Sequence, residues 1–191
     1  MKLTYINIPK LFIISLFLLF LCPSSYMHAN QKSVLVEELL DQLQKADTNY
    51  EAEIIRKKIW NKWIYEVPKN QKKNLEHALN EFFLGKLLSA EKAFTNLITI
   101  NPSYTEGWNK RATIRYMLND LDGSLEDIVK VLELQPRHFG AISGSGLIYL
   151  KKKKYRKAMS FYIILNEIDP MNTESEKYIK LLNKLINENT A

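Results

Sequence analysis

Pro68, Pro102, Pro136 and Pro170 stand 34 residues apart and account for four of the six prolines in the chain. A residue that cannot continue a helix, returning at one interval, divides a sequence into units of equal length. The last three sit in matching contexts: Leu97-Ile98-Thr99-Ile100-Asn101-Pro102, Val131-Leu132-Glu133-Leu134-Gln135-Pro136 and Leu165-Asn166-Glu167-Ile168-Asp169-Pro170. In each, an apolar helix end runs into a polar residue and then the proline. The residue before a proline is pushed out of the helical region, so each helix stops there. A unit this short buries its apolar side only against a neighbour. The period therefore predicts a row of stacked units and not one round core.

Composition narrows the units to helices. Hydrophobic residues make up 46% and charged residues 25%, a balance that supports a folded chain. Six glycines and six prolines are too few for the turns of a β architecture of this length. The sole cysteine, Cys22, lies in an apolar run, which excludes a disulfide-stapled scaffold. The net charge is +6, from 27 basic and 21 acidic residues interleaved along the predicted helices. That pattern reads as solvated faces, and no nucleic-acid partner is expected. The densest run, Lys151-Lys152-Lys153-Lys154, falls in an inter-helix turn and reads as a solvated turn.

Residues 1–29 read as an export segment. Lys2 and Lys10 precede the apolar run Leu11 to Leu21, and Cys22-Pro23-Ser24-Ser25 follows. The run is shorter than the roughly twenty residues that span a bilayer. It suits a cleaved signal peptide, with an anchor over 11–22 as the alternative. The expectation is a periplasmic or exported protein, or one held at the inner membrane through this segment alone.

The 34-residue unit resembles the tetratricopeptide repeat (TPR), whose two helices place small residues where they cross and aromatics where hairpins meet. Three copies match. The first, 71–104, has Ala78, Ala90 and Phe94; the second, 105–138, has Trp108, Ala112, Ser124 and Ile128; the third, 139–172, has Gly146, Tyr149, Ala158 and Tyr162. Glu81 and Arg115 depart from the aromatic positions, and Leu97 and Val131 stand where Ala is usual. The strings Glu106 to Thr113 and Pro136 to Ala141 resemble those of small signal-bearing alphaproteobacterial TPR proteins. The resemblance implies an all-α fold, a short α-solenoid. Residues 30–70 form an N-terminal helical hairpin or degenerate repeat, and 173–191 a C-terminal capping helix.

No cofactor, metal or catalytic constellation is expected. The histidines His28, His77 and His138 are scattered, and no metal-binding, nucleotide-binding or nucleophile-elbow spacing occurs. By the resemblance, the first helices of the hairpins line a concave groove with Leu79, Phe82, Phe83, Asn109, Thr113, Tyr116, Met117, Leu147 and Leu150. The chaperone-binding subset of the family needs Lys and Asn at set groove positions, of which only Lys110 serves. Arg111, Arg137 and His138 are candidate polar anchors, with an internal ion pair for Arg111 and a helix cap for His138 as the structural alternatives. The resulting expectation is a non-enzymatic scaffold or adaptor of the bacterial envelope, binding a peptide or protein in the groove. A self-associating structural protein, using helix 173–188 or the Trp60/Trp63 face, is the alternative. An enzyme built on Arg111, Arg137 and His138 ranks last.

Overall fold

The computed structural model describes residues 24–188, and the apolar run 11–22 read as a signal or anchor lies outside them. Two compact units divide the chain, residues 1–37 and 38–191. In the first, the described residues belong to the start of helix α1 (Ser24–Gln44), where Val34 and Leu35 are exposed. The second holds the rest of α1 and everything described below.

Six helices form three hairpins: α3 (Lys72–Phe83) with α4 (Leu87–Ile100), α5 (Thr105–Met117) with α6 (Leu121–Leu134), and α7 (Phe139–Lys151) with α8 (Tyr155–Ile168). Each hairpin packs on the next, α4 against α5 and α6 against α7, and α8 packs on a closing helix, α9 (Thr173–Glu188). The fold is the short all-α solenoid the period predicts. Its helix ends repeat as faithfully as its sequence. Asn101, Gln135 and Asp169, each before a proline, have φ −133°, −143° and −138° with ψ 83°, 88° and 80°. Steric pressure from the following ring drives all three out of the helix in the same way.

The small residues do what their size allows. Ala78, Ala90, Ala112, Ser124 and Ala158 are buried where paired helices cross. Ser124 Oγ donates to the Ala112 carbonyl at 2.7 Å across that crossing. At Gly146 a β-carbon would sit 2.7 Å from the Tyr162 ring, so only glycine lets that aromatic fill the interior. Leu97 and Val131, where Ala is usual, are fully buried and take up core volume directly. Arg115 departs further. It replaces an aromatic with an ionic cluster, reaching Glu91 at 2.9 Å, Asp127 at 3.2 Å and the Gly123 carbonyl at 3.1 Å.

The N-terminal hairpin does not extend the stack. Helix α2 (Asn49–Ile64) starts at an N-cap, Thr48, and packs on α5, running past the junctions between hairpins. Tyr104 Oη donates to the Ile64 carbonyl at 2.7 Å, ahead of α5. Trp60 and Trp63 reach His138 and Phe139, at the start of α7. Arg56 grips Asp169 through two bonds of 2.7 and 3.2 Å and the Met171 carbonyl at 3.2 Å, ahead of α9. A physical reason is visible in the register. Counting 34 back from Ala78, Ala90 and Leu97 gives Gln44, Arg56 and Trp63, side chains too large for a close helix crossing. Helix α2 is a strap across the repeats.

Candidate functional site

A cleft of about 260 Å³ opens between α5 and α7, on the face lined by the first helices of the hairpins. Its wall combines Asn109, Thr113 and Tyr116 of α5, Ser143 and Leu147 of α7, and Trp60 of the strap. Asn109, Thr113 and Tyr116 sit at i, i+4 and i+7, one stripe of a helix. Ser143 and Leu147 are likewise four apart. Gly140 lets the strap in, because a β-carbon there would lie 2.6 Å from the Trp60 indole.

A buried carboxylate, Glu106, holds two of the lining residues, Asn109 and Lys110. Glu106 Oε2 accepts from Asn109 Nδ2 at 3.0 Å and faces His138 Nε2 at 3.2 Å. The His138 Nδ1 accepts the Ala141 backbone N–H at 3.2 Å, capping α7. That atom therefore carries no proton, and Nε2–H is the donor to Glu106. Lys110 Nζ lies 3.1 Å from Glu106 Oε1, an ion pair by distance whose angle falls short of hydrogen-bond geometry. The same ammonium is 5.4 Å from the Trp60 ring centroid. At the other end Lys151 Nζ lies 5.0 Å from the centroid of Tyr116. Two cations thus flank an apolar slot, each held against an aromatic face.

Of the expected groove residues, the cleft joins Asn109, Thr113, Tyr116 and Leu147. Leu79 and Phe82 instead pack against the first-repeat core of Val67, Leu75 and Phe94. Phe83 and Met117 are exposed at hairpin ends, and Leu150 is half-buried outside the cleft. The three candidate anchors go to separate tasks. Arg111 makes a two-bond pair with Asp127 (2.8 and 2.6 Å), touches Thr95 Oγ1 at 3.1 Å and lies 5.0 Å from the Trp108 ring centroid. Arg137 pairs with Asp41 at 2.6 Å, and His138 is sealed from solvent between Glu106 and Trp63. The Trp60/Trp63 face is likewise taken up inside the chain, since Trp63 is buried. Sequence reasoning missed Trp60 as a cleft wall and Glu106 as the buried carboxylate that holds Asn109 and Lys110. The Trp60–Trp63 spacing marks a helix face without saying what it meets. Among the described residues, no group of three or more His, Cys, Asp or Glu could hold a metal ion, and no helix is long and apolar enough to cross a membrane.

Stacked antiparallel hairpins with small crossing residues and a groove along their first helices define a helical-repeat scaffold. Hairpins of this kind are the fold of tetratricopeptide repeats, and proteins that carry such repeats are similar to this chain. No family model matches the chain. It is 31% identical over 85 residues to a TPR repeat-containing protein of Rhizobium etli, a match covering 44% of this chain and 42% of that protein. It is 28% identical over 100 residues to RNA polymerase II-associated protein 3 of Homo sapiens, covering 50% of this chain and 15% of that one. The chain thus spans less than half the length of these curated relatives. Among solved structures, the first TPR domain of Spaghetti bound to an HSP90 peptide superposes with a TM-score of 0.60 at 18% identity, covering 64% of this chain and 98% of that one. MamA superposes with a TM-score of 0.59 at 14% identity, covering 83% and 84%. At such identities the likeness is one of fold.

Proposed function

We propose that this chain is a protein-interaction adaptor whose cleft between α5 and α7 takes a short apolar segment of a partner protein. The carrying observation is the cleft itself: Tyr116, Leu147 and Trp60 supply apolar walls, while Asn109, Thr113 and Ser143 supply polar groups for a peptide backbone. Similarity to a TPR domain bound to an HSP90 peptide supports a peptide as the kind of ligand. A terminal carboxylate is a poor candidate here, because Lys110 is already held by Glu106 and Trp60. A catalytic role has little support, since Arg111, Arg137 and His138 are each committed to internal partners. The basic residues and apolar run of 1–29 support work in the bacterial envelope, either exported or anchored through 11–22.

Photo-crosslinking in cells tests the groove. A benzophenone amino acid at Thr113, Tyr116 or Leu147 is expected to trap one partner. The same group at Val129, exposed on α6, is expected to trap none. Equal capture from both faces, or capture from neither, overturns the reading. Intact mass of the mature protein reports whether residues 1–29 are retained.

A further inference from the structure

The three hairpins turn through one residue each at positive φ: Gly85 at 70°, Asn119 at 65° and Lys153 at 56°. These positions are 34 apart, so the tips are equivalent and succeed one another along one edge of the stack. Neighbouring tips are joined. Leu118 of the second packs on the same core cluster as Phe82 and Leu87 of the first. Lys152 of the third is ion-paired with Asp122 at the second.

The first tip is apolar. Phe83, Leu84 and Leu88 are 78%, 59% and 74% exposed, at the end of α3, in the turn and at the start of α4. Scattered exposed leucines need no explanation, but three large apolar side chains at one hairpin tip do. The third tip is basic, with Lys151, Lys153 and Lys154 exposed. Lys153 holds the left-handed conformation that Gly85 adopts freely at the first tip, which is strained for a residue with a side chain. The acids on this edge have partners within it. Asp122 is paired with Lys152, and Asp120 caps α6 and lies 4.0 Å from Arg115.

We infer that the hairpin-tip edge docks on an anionic lipid bilayer, with Phe83, Leu84 and Leu88 entering the interface and Lys153 and Lys154 meeting the headgroups. An exposed apolar turn fits a deformable lipid surface, whereas a protein partner would need a matching pocket. Lysines on the same edge gain from the negative surface potential, and their alkyl stems lie along the apolar boundary. A bilayer satisfies the apolar tip and the basic tip together; an acidic protein accounts for the lysines alone. None of these five residues lines the cleft.

The test uses the full chain carrying Cys22→Ser, with an environment-sensitive fluorophore on Lys86→Cys at the first tip or on Val129→Cys on α6. Vesicles of phosphatidylglycerol and phosphatidylcholine, doped with nitroxide lipid, are expected to blue-shift and quench the label at 86 and leave that at 129 unchanged. The pair Lys153→Ala and Lys154→Ala is expected to weaken binding to anionic vesicles about tenfold or more. The pair Phe83→Ser and Leu88→Ser is expected to abolish the quenching. Circular dichroism melts matching the parent chain verify that the variants fold. A label at 86 that keeps its aqueous spectrum on vesicle-bound protein overturns the proposal, because the chain is then held elsewhere. A shift with a polyglutamate peptide but not with vesicles overturns it too, in favour of an acidic protein.

Discussion

The indole of Trp63 lies flat against the imidazole of His138, ring centroids 4.0 Å apart and planes 16° from parallel. Residues 75 positions apart in sequence thus join the strap to the junction between the second and third repeats. The same imidazole caps α7 and bonds the buried carboxylate of Glu106, so one side chain ties three helices together.

That stack should carry much of the strap's docking. Trp63→Ala removes a buried aromatic and leaves a cavity, for an expected loss of about 3–5 kcal/mol in urea denaturation followed by circular dichroism. Trp63→Phe, which keeps an aromatic face, should lose less. A Trp63→Ala loss below about 1 kcal/mol would mean that the strap is not docked as described.

Asp127 holds two cations, Arg111 and Arg115, in the partly buried centre of the second hairpin. Asp127→Ala leaves both guanidinium groups short of a partner and is expected to lower stability by about 3–5 kcal/mol. Replacing the group together, Asp127→Leu with Arg111→Met and Arg115→Leu, should recover much of that loss, because the desolvated charges go with it. Thermal melts of the two variants side by side decide the matter. An equal loss in both contradicts the assignment.

Two neighbouring glycines should respond differently to the same change. A β-carbon at Gly146 would meet the Tyr162 ring at 2.7 Å, and Tyr162 is itself clamped by a ring stack on Tyr178 at 4.5 Å. Gly146→Ala is expected to cost about 1–3 kcal/mol. At Gly144 the nearest atom is the mobile tip of Ile128, 3.3 Å away, so Gly144→Ala should cost less than about 1 kcal/mol. Because Gly144 lines the cleft, that variant should weaken partner capture while leaving the melt nearly unchanged.

Alkaline pH should unfold the chain through its buried tyrosines. Burial, reinforced by nearby acids, pushes the phenols of Tyr104 and Tyr162 far above the ordinary tyrosine range. In the unfolded chain they ionise near pH 10, so their contribution is complete below about that value and fades as pH rises past it. Phenolate absorbance at 295 nm and helix signal should therefore change together at high pH for these two groups. Full tyrosine ionisation near pH 10 with the helix signal intact would contradict their burial.

Legibility followed the range of the cause. Asn101, Gln135 and Asp169 could be read as helix ends because each is governed by the next residue, a proline. Ala78, Ala112 and Gly146 could be read as crossings because the repeat returns them at one spacing. Leu79 and Phe82 are groove residues only by the family resemblance, and they face Val67, which arrives from outside the repeat. Arg111 was open between an internal ion pair and an anchor until Asp127 stood beside it. Trp60 carries no mark of its destination, because a large aromatic on a helix face can meet any neighbour.

By itself the sequence determined the helical class, the 34-residue unit and the positions where chains must cross or stop. These depend on neighbours along the chain, or on size requirements that every repeat restates. Only the tertiary structure decided where the N-terminal hairpin lies, because its anchors Asp41–Arg137 and Gln44–Glu167 join residues 96 and 123 positions apart. Such pairings happen once, leave no period behind, and are selected by the shape and charge of surfaces that exist only after the repeats have stacked.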